Sequence, residues 1–296
     1  MSMKASSSSK LSTYYRLTKP GIIYGNVMTT LAGFLFAGTW GRESFDISLL
    51  LATVFGTSLV IASACVANNY IDRDIDRAME RTKKRALVIG DISGRNAVIF
   101  STVLAIIGFG LLLGFVNGLT AAAGAVAFID YVVLYGWSKR KSVHGTLVGS
   151  VSGAIPILAG YTAASGKLDL TAVLLFAVMT VWQMPHFYAI AIYRSKEYAA
   201  AHIPVLPLVK GVEKTKRQIM VYIGAYLTAI VVLWLVTDAS LWFSVPAVAG
   251  AGWWLLRSNE GYRTMDSSKW ARKVFFQSLT VLMLLSAGLA LDGIFR

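Results

Sequence analysis

Residues 47–77 read ISLLLATVFGTSLVIASACVANNYIDRDIDR. From Ile47 to Tyr70 no side chain carries a formal charge, and then Asp72, Arg73, Asp74, Asp76 and Arg77 arrive within six residues. A run of about 20 mostly apolar residues is what a helix needs to cross hydrocarbon, so this stretch reads as a membrane span meeting water near Tyr70. Asn68, Asp72 and Asp76 fall at i, i+4 and i+8, one face of a helix. Three oxygen-bearing side chains on one stripe suit a hard cation, and Mg²⁺ typically takes one or two carboxylates and completes its shell with waters and phosphate oxygens. Downstream, Arg77, Arg81, Lys83, Lys84 and Arg85 set positive charge where the oxygens of a diphosphate would lie. The plainer alternative is a solvated loop in which acids and bases neutralise one another.

The rest of the chain repeats this alternation. Its 296 residues contain 15% charged side chains at a mean hydropathy of +0.61, too apolar for a soluble domain. Apolar runs near 20–39, 47–70, 96–116, 118–137, 145–164, 170–192, 217–237, 240–257 and 274–294 predict an all-α membrane protein. About nine transmembrane helices would form a single bundle in the lipid bilayer. The third and fourth runs, parted only by Asn117-Gly118, read as a tight helical hairpin. With the N-terminus cytoplasmic, all of the 28 Lys and Arg except Arg42, Lys167 and Arg296 fall on the inside, as the positive-inside rule requires. Topology thus accounts for the +13 formal charge, with no need for nucleic acid. Residues 1–19, serine-rich and polar, read as a flexible cytoplasmic tail, and 20–296 as the membrane domain. Cys65, the single cysteine, lies inside an apolar run and offers neither a disulfide nor a cysteine metal site.

Two further charged segments lie on the side of the Asp stripe. One runs from Tyr135 through Lys139, Arg140 and Lys141 to His144; the other from Tyr193 through Arg194, Lys196 and Glu197 to Pro207. His186 follows Pro185 inside the sixth span, and an ionisable group at membrane depth is a candidate for function. An imidazole can ligate haem iron; the alternative is a hydrogen-bonded core histidine filling the gap at the proline. His144 and His202 sit in inside loops, where a histidine is most often a surface residue. Gly149 and Gly153 form a G-x-x-x-G suited to close helix packing.

Asn68-x-x-x-Asp72-x-x-x-Asp76 resembles the first polar motif of the intramembrane UbiA-type prenyltransferase superfamily, whose fold is a nine-helix bundle. The runs from Asn68 to Arg85, from Tyr135 to Thr146, Trp182-Gln183-Met184-Pro185-His186, Glu197 to Pro207 and Trp270-Ala271-Arg272-Lys273 resemble, within it, the protohaem IX farnesyltransferase (haem O synthase) family. The likeness spans nearly the whole chain after about Leu17. It departs at the superfamily's second D-x-x-x-D motif, whose positions here are Tyr193 and Glu197, so only one is acidic.

The resemblance implies a Mg²⁺-dependent enzyme of the cell inner membrane with its active-site loops on the cytoplasmic side. It would transfer the farnesyl group of farnesyl diphosphate to a vinyl group of haem b, with addition of water, to make haem O. Asn68, Asp72 and Asp76 would hold the metal. Arg77, Arg81, Lys83, Lys84 and Arg85, with Asn68, would meet the diphosphate. Lys139, Arg140, Arg194, Lys196 and Glu197 would join Asp72 and Asp76 in catalysis, Arg194 and Lys196 supplying charge where the second acidic motif is incomplete. His186, His144 and Tyr135 are the candidates for contact with haem. A haem A synthase or a terminal oxidase assembly would be the protein partner. The competing readings are a family member that prenylates a quinone-precursor ring and, from another class, a cation-coupled transporter, which would carry its site near the midplane on broken helices.

Overall fold

The computed structural model describes residues 9–38 and 46–295; residues 1–8 of the tail, residue 39 of the first run, and Arg42 and Arg296 of the topology reading lie outside the described residues. Among those described, the regular structure is entirely helical. In chain order the helices are α1 (Lys10–Leu17), α2 (Pro20–Phe36), α3 (Ile47–Ile71), α4 (Arg73–Ala78), α5 (Ala86–Ile89), α6 (Gly94–Phe115) and α7 (Gly118–Ile129). After a π-helical turn over Asp130–Leu134 come α8 (Tyr135–Lys141), α9 (Gly145–Ser165), α10 (Leu170–Tyr193), α11 (Ser195–Ala200), α12 (Leu206–Val209), α13 (Val212–Thr237), α14 (Leu241–Asn259) and α15 (Ser267–Phe295).

A helix covers each of the nine apolar runs, and seven of the described helical segments are long and apolar enough to cross a membrane. The two that fall short are α2 and α14. With 17 residues, α2 rises about 26 Å, less than the roughly 30 Å of a bilayer core. In α14, Pro246, three tryptophans and the polar end at Arg257–Asn259 dilute the hydropathy.

Side-chain caps fix where several helices begin. The Asp46 carboxylate accepts from the Ser48 and Leu49 amides, and Asn117 Oδ1 from the Thr120 amide at 2.8 Å. Asp169 Oδ1 accepts from the Ala172 amide at 3.0 Å. Each cap satisfies amides that a helix start leaves without an intrahelical partner. Asn117 also donates through Nδ2 to the Thr162 carbonyl at 3.1 Å, tying the α6–α7 hairpin turn to α9.

Lipid gives no hydrophobic drive between helices, so close backbone approach and buried hydrogen bonds hold such a bundle together. Such an approach joins α2 and α9: a Cβ on Gly160 would strike the Thr30 carbonyl oxygen, and one on Gly33 the Ile157 carbonyl oxygen. The Gly149 and Gly153 pair also packs closely, against the Tyr135 ring and the Gln183 side chain. Ser63 and Ser101 join α3 to α6 with hydroxyls 3.0 Å apart, and Thr120 and Thr162 join α7 to α9 at 2.9 Å.

Three differences from the sequence reading bear on the site. The fourth run does not end at 137; it continues through the π turn and α8 to Lys141, so the segment that reads as a loop from Tyr135 is largely the end of a helix. The seventh begins at Val212, because the residues from Val212 to Lys216 extend the helix beyond its apolar part. Residues 10–17 form α1, and Leu17 packs with Val66, Ile92 and Ala97.

Candidate active site

Three hinge regions meet at one end of the bundle. The first is the α3–α4 junction. Asp72 donates its amide to the Asn68 carbonyl at 2.9 Å, and Asp76 donates to the Asp72 carbonyl at 2.8 Å. The i+4 bonding therefore runs through the break between the two helices and keeps Asn68, Asp72 and Asp76 in one stripe. All three are buried, at 3%, 4% and 5% exposure. Burying a carboxylate at the edge of a membrane demands a partner, and each carboxylate has one. Asp72 is ion-paired to Lys139 Nζ, and its other oxygen lies 3.3 Å from the Arg140 guanidinium. Asp76 Oδ2 lies 2.5 Å from Arg85, which also donates to Asn69 Oδ1 at 3.0 Å.

Arg140 reaches further, with two bonds to Asp74 at 2.6 and 2.9 Å and one to the Ile71 carbonyl at 3.0 Å. The guanidinium beside Asp74 holds that carboxyl well below the usual carboxylate range.

The π turn brings the second hinge region into place. A five-residue hydrogen-bonded turn admits an extra residue and shifts the phase of the helix beyond it. Tyr131 and Tyr135 stack at 5.7 Å, and Lys139 Nζ lies 5.1 Å from the centre of the Tyr135 ring. The Asp130 carboxylate anchors the turn by accepting the Ser152 amide of α9 at 3.0 Å.

Lys19, which in the sequence reads only as a topology charge, proves to be part of this cluster. It occupies the left-handed corner between α1 and α2, at φ 56°. Nζ donates to Asn68 Oδ1 at 2.8 Å and reaches the Tyr131 hydroxyl at 3.5 Å. Burial, with the Arg85 and Lys139 charges adding to it and Asp72 opposing, pulls its ammonium down from 10.5 to about 8. Asn69 is a second member that the sequence does not single out; its Nδ2 donates to the Leu17 carbonyl at 2.8 Å and holds α1 against α3. No helical spacing links position 19 to position 68, so only the adjacency of Lys19 to Pro20 and the first apolar run hints at either residue.

Other candidates stand apart from the cluster. Of the five cations downstream of the stripe, only Arg85 reaches it; Arg77, Arg81, Lys83 and Lys84 are exposed. Lys83 pairs with Glu80 at 2.6 Å, and Arg81 lies 3.8 Å from Glu197. Arg194 bonds Glu197 at 2.8 Å, while Lys196 is exposed. The third hinge region, the α10–α11 junction at Arg194, thus meets the segment after α4 through Arg81 and Glu197. A cleft of about 300 Å³ opens between them, lined by Asp74, Ile75, Arg140, His202 and Ile203 among others. His144 is exposed at the start of α9. His186 is buried between α10 and α15, in contact with Trp182, Phe275 and Ser278.

No group of three or more His, Cys, Asp or Glu side chains able to hold a metal occurs among the described residues. What the stripe offers is two buried carboxylates one helical turn apart and an amide, Asn68, whose buried Nδ2 has no partner. A donor set of that size suits Mg²⁺ completing its shell with waters and phosphate oxygens, and not a closed protein cage. The surrounding cations match the same ligand: Lys19, Lys139, Arg140 and Arg85 face Asp72, Asp74 and Asp76, one positive charge in excess.

Residues 26–280 match the model of the UbiA prenyltransferase family. The chain is 48% identical over 281 residues to "Protoheme IX farnesyltransferase 2" of Pseudomonas putida (strain GB-1), covering 95% of this chain and 94% of that protein. It is 46% identical over 280 residues to "Protoheme IX farnesyltransferase" of Yersinia enterocolitica, covering 94% of each. Among solved structures, a digeranylgeranylglyceryl phosphate synthase superposes with a TM-score of 0.79 at 19% identity, over 97% of this chain and 99% of that one. A UbiA homologue from Archaeoglobus fulgidus bound to DMAPP and Mg²⁺ superposes with a TM-score of 0.70 at 14% identity, over 91% and 99%. At those identities the structural likeness establishes the fold.

Proposed function

Because the chain belongs to the UbiA prenyltransferase family, we propose that it joins the farnesyl group of farnesyl diphosphate to a vinyl group of haem b, with addition of water and release of diphosphate, to give haem O. The observation that carries this reading is the nearly full-length likeness to the protoheme IX farnesyltransferases of Pseudomonas and Yersinia. The geometry supplies the chemistry. Asn68, Asp72 and Asp76 would hold Mg²⁺, which when bound supplies Lewis-acid polarisation of the diphosphate oxygens and neutralises their charge.

Lys139, Arg140 and Arg85 then exchange their carboxylate partners for phosphate oxygens, and Lys19 turns from Asn68 to join them. In that position they stabilise the negative charge that grows on the leaving diphosphate. Asn68 Nδ2, buried and unpartnered, offers one more hydrogen bond. Arg77, Arg81, Lys83, Lys84, Arg194 and Lys196 contribute at longer range, drawing the trianionic donor to the mouth, while Glu197 holds Arg194 and Arg81 in place. The faces of Tyr131 and Tyr135 stabilise the allylic cation, and apolar helix walls keep water from capturing it. The terminal vinyl carbon bonds to C1 of the farnesyl cation, water adds to the neighbouring carbon, and a proton is lost.

The chain is a multi-pass membrane protein. We place it in the cell inner membrane with this end of the bundle cytoplasmic, on the distribution of Lys and Arg, with a haem A synthase or a terminal oxidase assembly as the recipient of its product.

The test is a detergent-solubilised assay with haem b, farnesyl diphosphate and Mg²⁺, the haem product read by mass spectrometry. A farnesyl-plus-water increment that EDTA abolishes is the expected result. Unchanged haem alongside prenylation of 4-hydroxybenzoate would leave the metal site standing and move the acceptor to a quinone precursor.

A further inference from the structure

His186 is seven residues before Tyr193 on α10, about two helical turns, or roughly 10 Å, inward from the charged end of the bundle. The residue is 9% exposed, and its ring packs against side chains of α10 and α15. Trp182 stacks on it at 4.9 Å with the planes 27° apart, Phe275 lies at 4.9 Å and Phe187 stands edge-on at 5.1 Å. Nδ1 lies 2.7 Å from Ser278 Oγ, and that hydroxyl oxygen lies 2.5 Å from the Phe275 carbonyl oxygen. Trp182 Nε1 donates to the Ser278 carbonyl at 3.1 Å, fixing the serine from its other side.

These distances assign the imidazole proton. Two oxygens 2.5 Å apart need a proton between them, and a serine hydroxyl has only one to give. Ser278 therefore donates to Phe275 and accepts from His186, so the hydrogen on the histidine is at Nδ1. A neutral imidazole in that tautomer has a bare lone pair on Nε2, and Nε2 has no protein partner among the described residues. The contacts here fix the ring plane by stacking and fix the tautomer by a hydrogen bond, and they leave Nε2 free to take a further partner. This is the arrangement that prepares a histidine to ligate a metal, in which the partner of one ring nitrogen determines which nitrogen binds.

We propose that His186 Nε2 ligates the iron of the haem acceptor, and that Ser278 is the positioning residue that holds the imidazole in the ligating tautomer. This rests on haem being the acceptor, as argued above. Because the porphyrin is a rigid plane, pinning its iron at His186 limits where its vinyl groups can lie relative to the charged end of the bundle. The ligation is thus an orientation device for the acceptor.

The experiment titrates the purified full-length protein in detergent with haem b. It reads visible absorption and the iron–histidine stretch of the ferrous complex by resonance Raman, and measures farnesyl transfer in parallel. The wild type is expected to show the iron–histidine band. His186→Ala and His186→Gln lose it and raise the KM for haem by about tenfold or more, leaving the KM for farnesyl diphosphate unchanged. Added imidazole restores the band to His186→Ala. Ser278→Ala weakens haem binding by about tenfold, and Ser278→Thr, which keeps the hydroxyl, restores it. His186→Gln keeps an N–H for Ser278, and its thermal melting checks that it folds; if that folded variant retained the band or the haem KM, the inference would be overturned. A wild type that makes haem O without an iron–histidine band overturns the ligation alone. One that prenylates another acceptor and leaves haem untouched overturns the reading of function.

Discussion

Lys19 is held in a backbone conformation that non-glycine residues rarely adopt, φ 56°, with its ammonium buried against Asn68 and Tyr131. Its ammonium, lowered to about 8, makes the site sensitive to alkali. Between about pH 8 and 10.5 the unfolded chain binds the Lys19 proton and the folded protein does not, so this residue's contribution to stability rises with pH across that window. Function runs the other way, because the neutral amine cannot pair with a diphosphate. kcat/KM for farnesyl diphosphate, which reports the free enzyme, should fall as pH rises past about 8, and Lys19→Arg should remove that limb. A pH profile of both proteins checks it. Asp72 and Asp76 carry a different prediction. Removing one member of a buried ion pair leaves a stranded charge and is strongly destabilising, so Asp72→Ala strands Lys139 and confuses folding with chemistry. The double variant Asp72→Asn with Lys139→Gln should melt close to the wild type in detergent yet lose transfer by at least about 10²–10³-fold. The Asp stripe is legible in the sequence because i, i+4, i+8 is a helical signature. Lys19 is not, since its contact with Asn68 exists only once α1 and α2 have turned a corner that no periodicity encodes.

Among the helices, the π turn at Asp130–Leu134 has the largest consequence for the site. Inserting one alanine after Leu134, just beyond the turn, would rotate Tyr135, Lys139 and Arg140 by about 100° relative to α7. The variant should still insert in the membrane, since the span stays long and apolar, but lose prenyl transfer; expression level and activity measured side by side separate the two. At the α2–α9 crossing, Gly160→Leu would drive a side chain into the Thr30 carbonyl and should destabilise the bundle by about 1–3 kcal/mol as overpacking, read as a lowered Tm in detergent. The hairpin at Asn117-Gly118 and most span boundaries are readable from apolar runs and turn residues. The π turn is not, because a five-residue turn has no periodicity of its own and the lone Asp130 at its start does not announce it, and so Tyr135–Lys141 reads as a loop.

At the level of the whole molecule, the charged ends of α3, α8 and α10 converge on one side, joined by Arg140 to Asp74 and by Arg81 to Glu197. The chain's single cysteine, Cys65, is buried, so introduced cysteines can be labelled against a quiet background. A membrane-impermeant maleimide should label Lys196→Cys only from the cytoplasmic side and Lys167→Cys only from the opposite side. The reverse pattern would invert the orientation. The all-helical class and the order of the apolar helices are legible because charged segments or turn residues separate the runs of hydrocarbon length. Which loops meet is not, because convergence depends on how the helices pack around one another.

The pairing of Lys139 with Asp72 and of Arg85 with Asp76 also bears on how a catalytic cycle ends. An anion bound among these bases would compete with carboxylates tethered within contact distance, present at a high effective concentration. On the proposed reaction, spent diphosphate would leave by being displaced from within, and product inhibition would be limited without a salt ion from solution to finish the exchange.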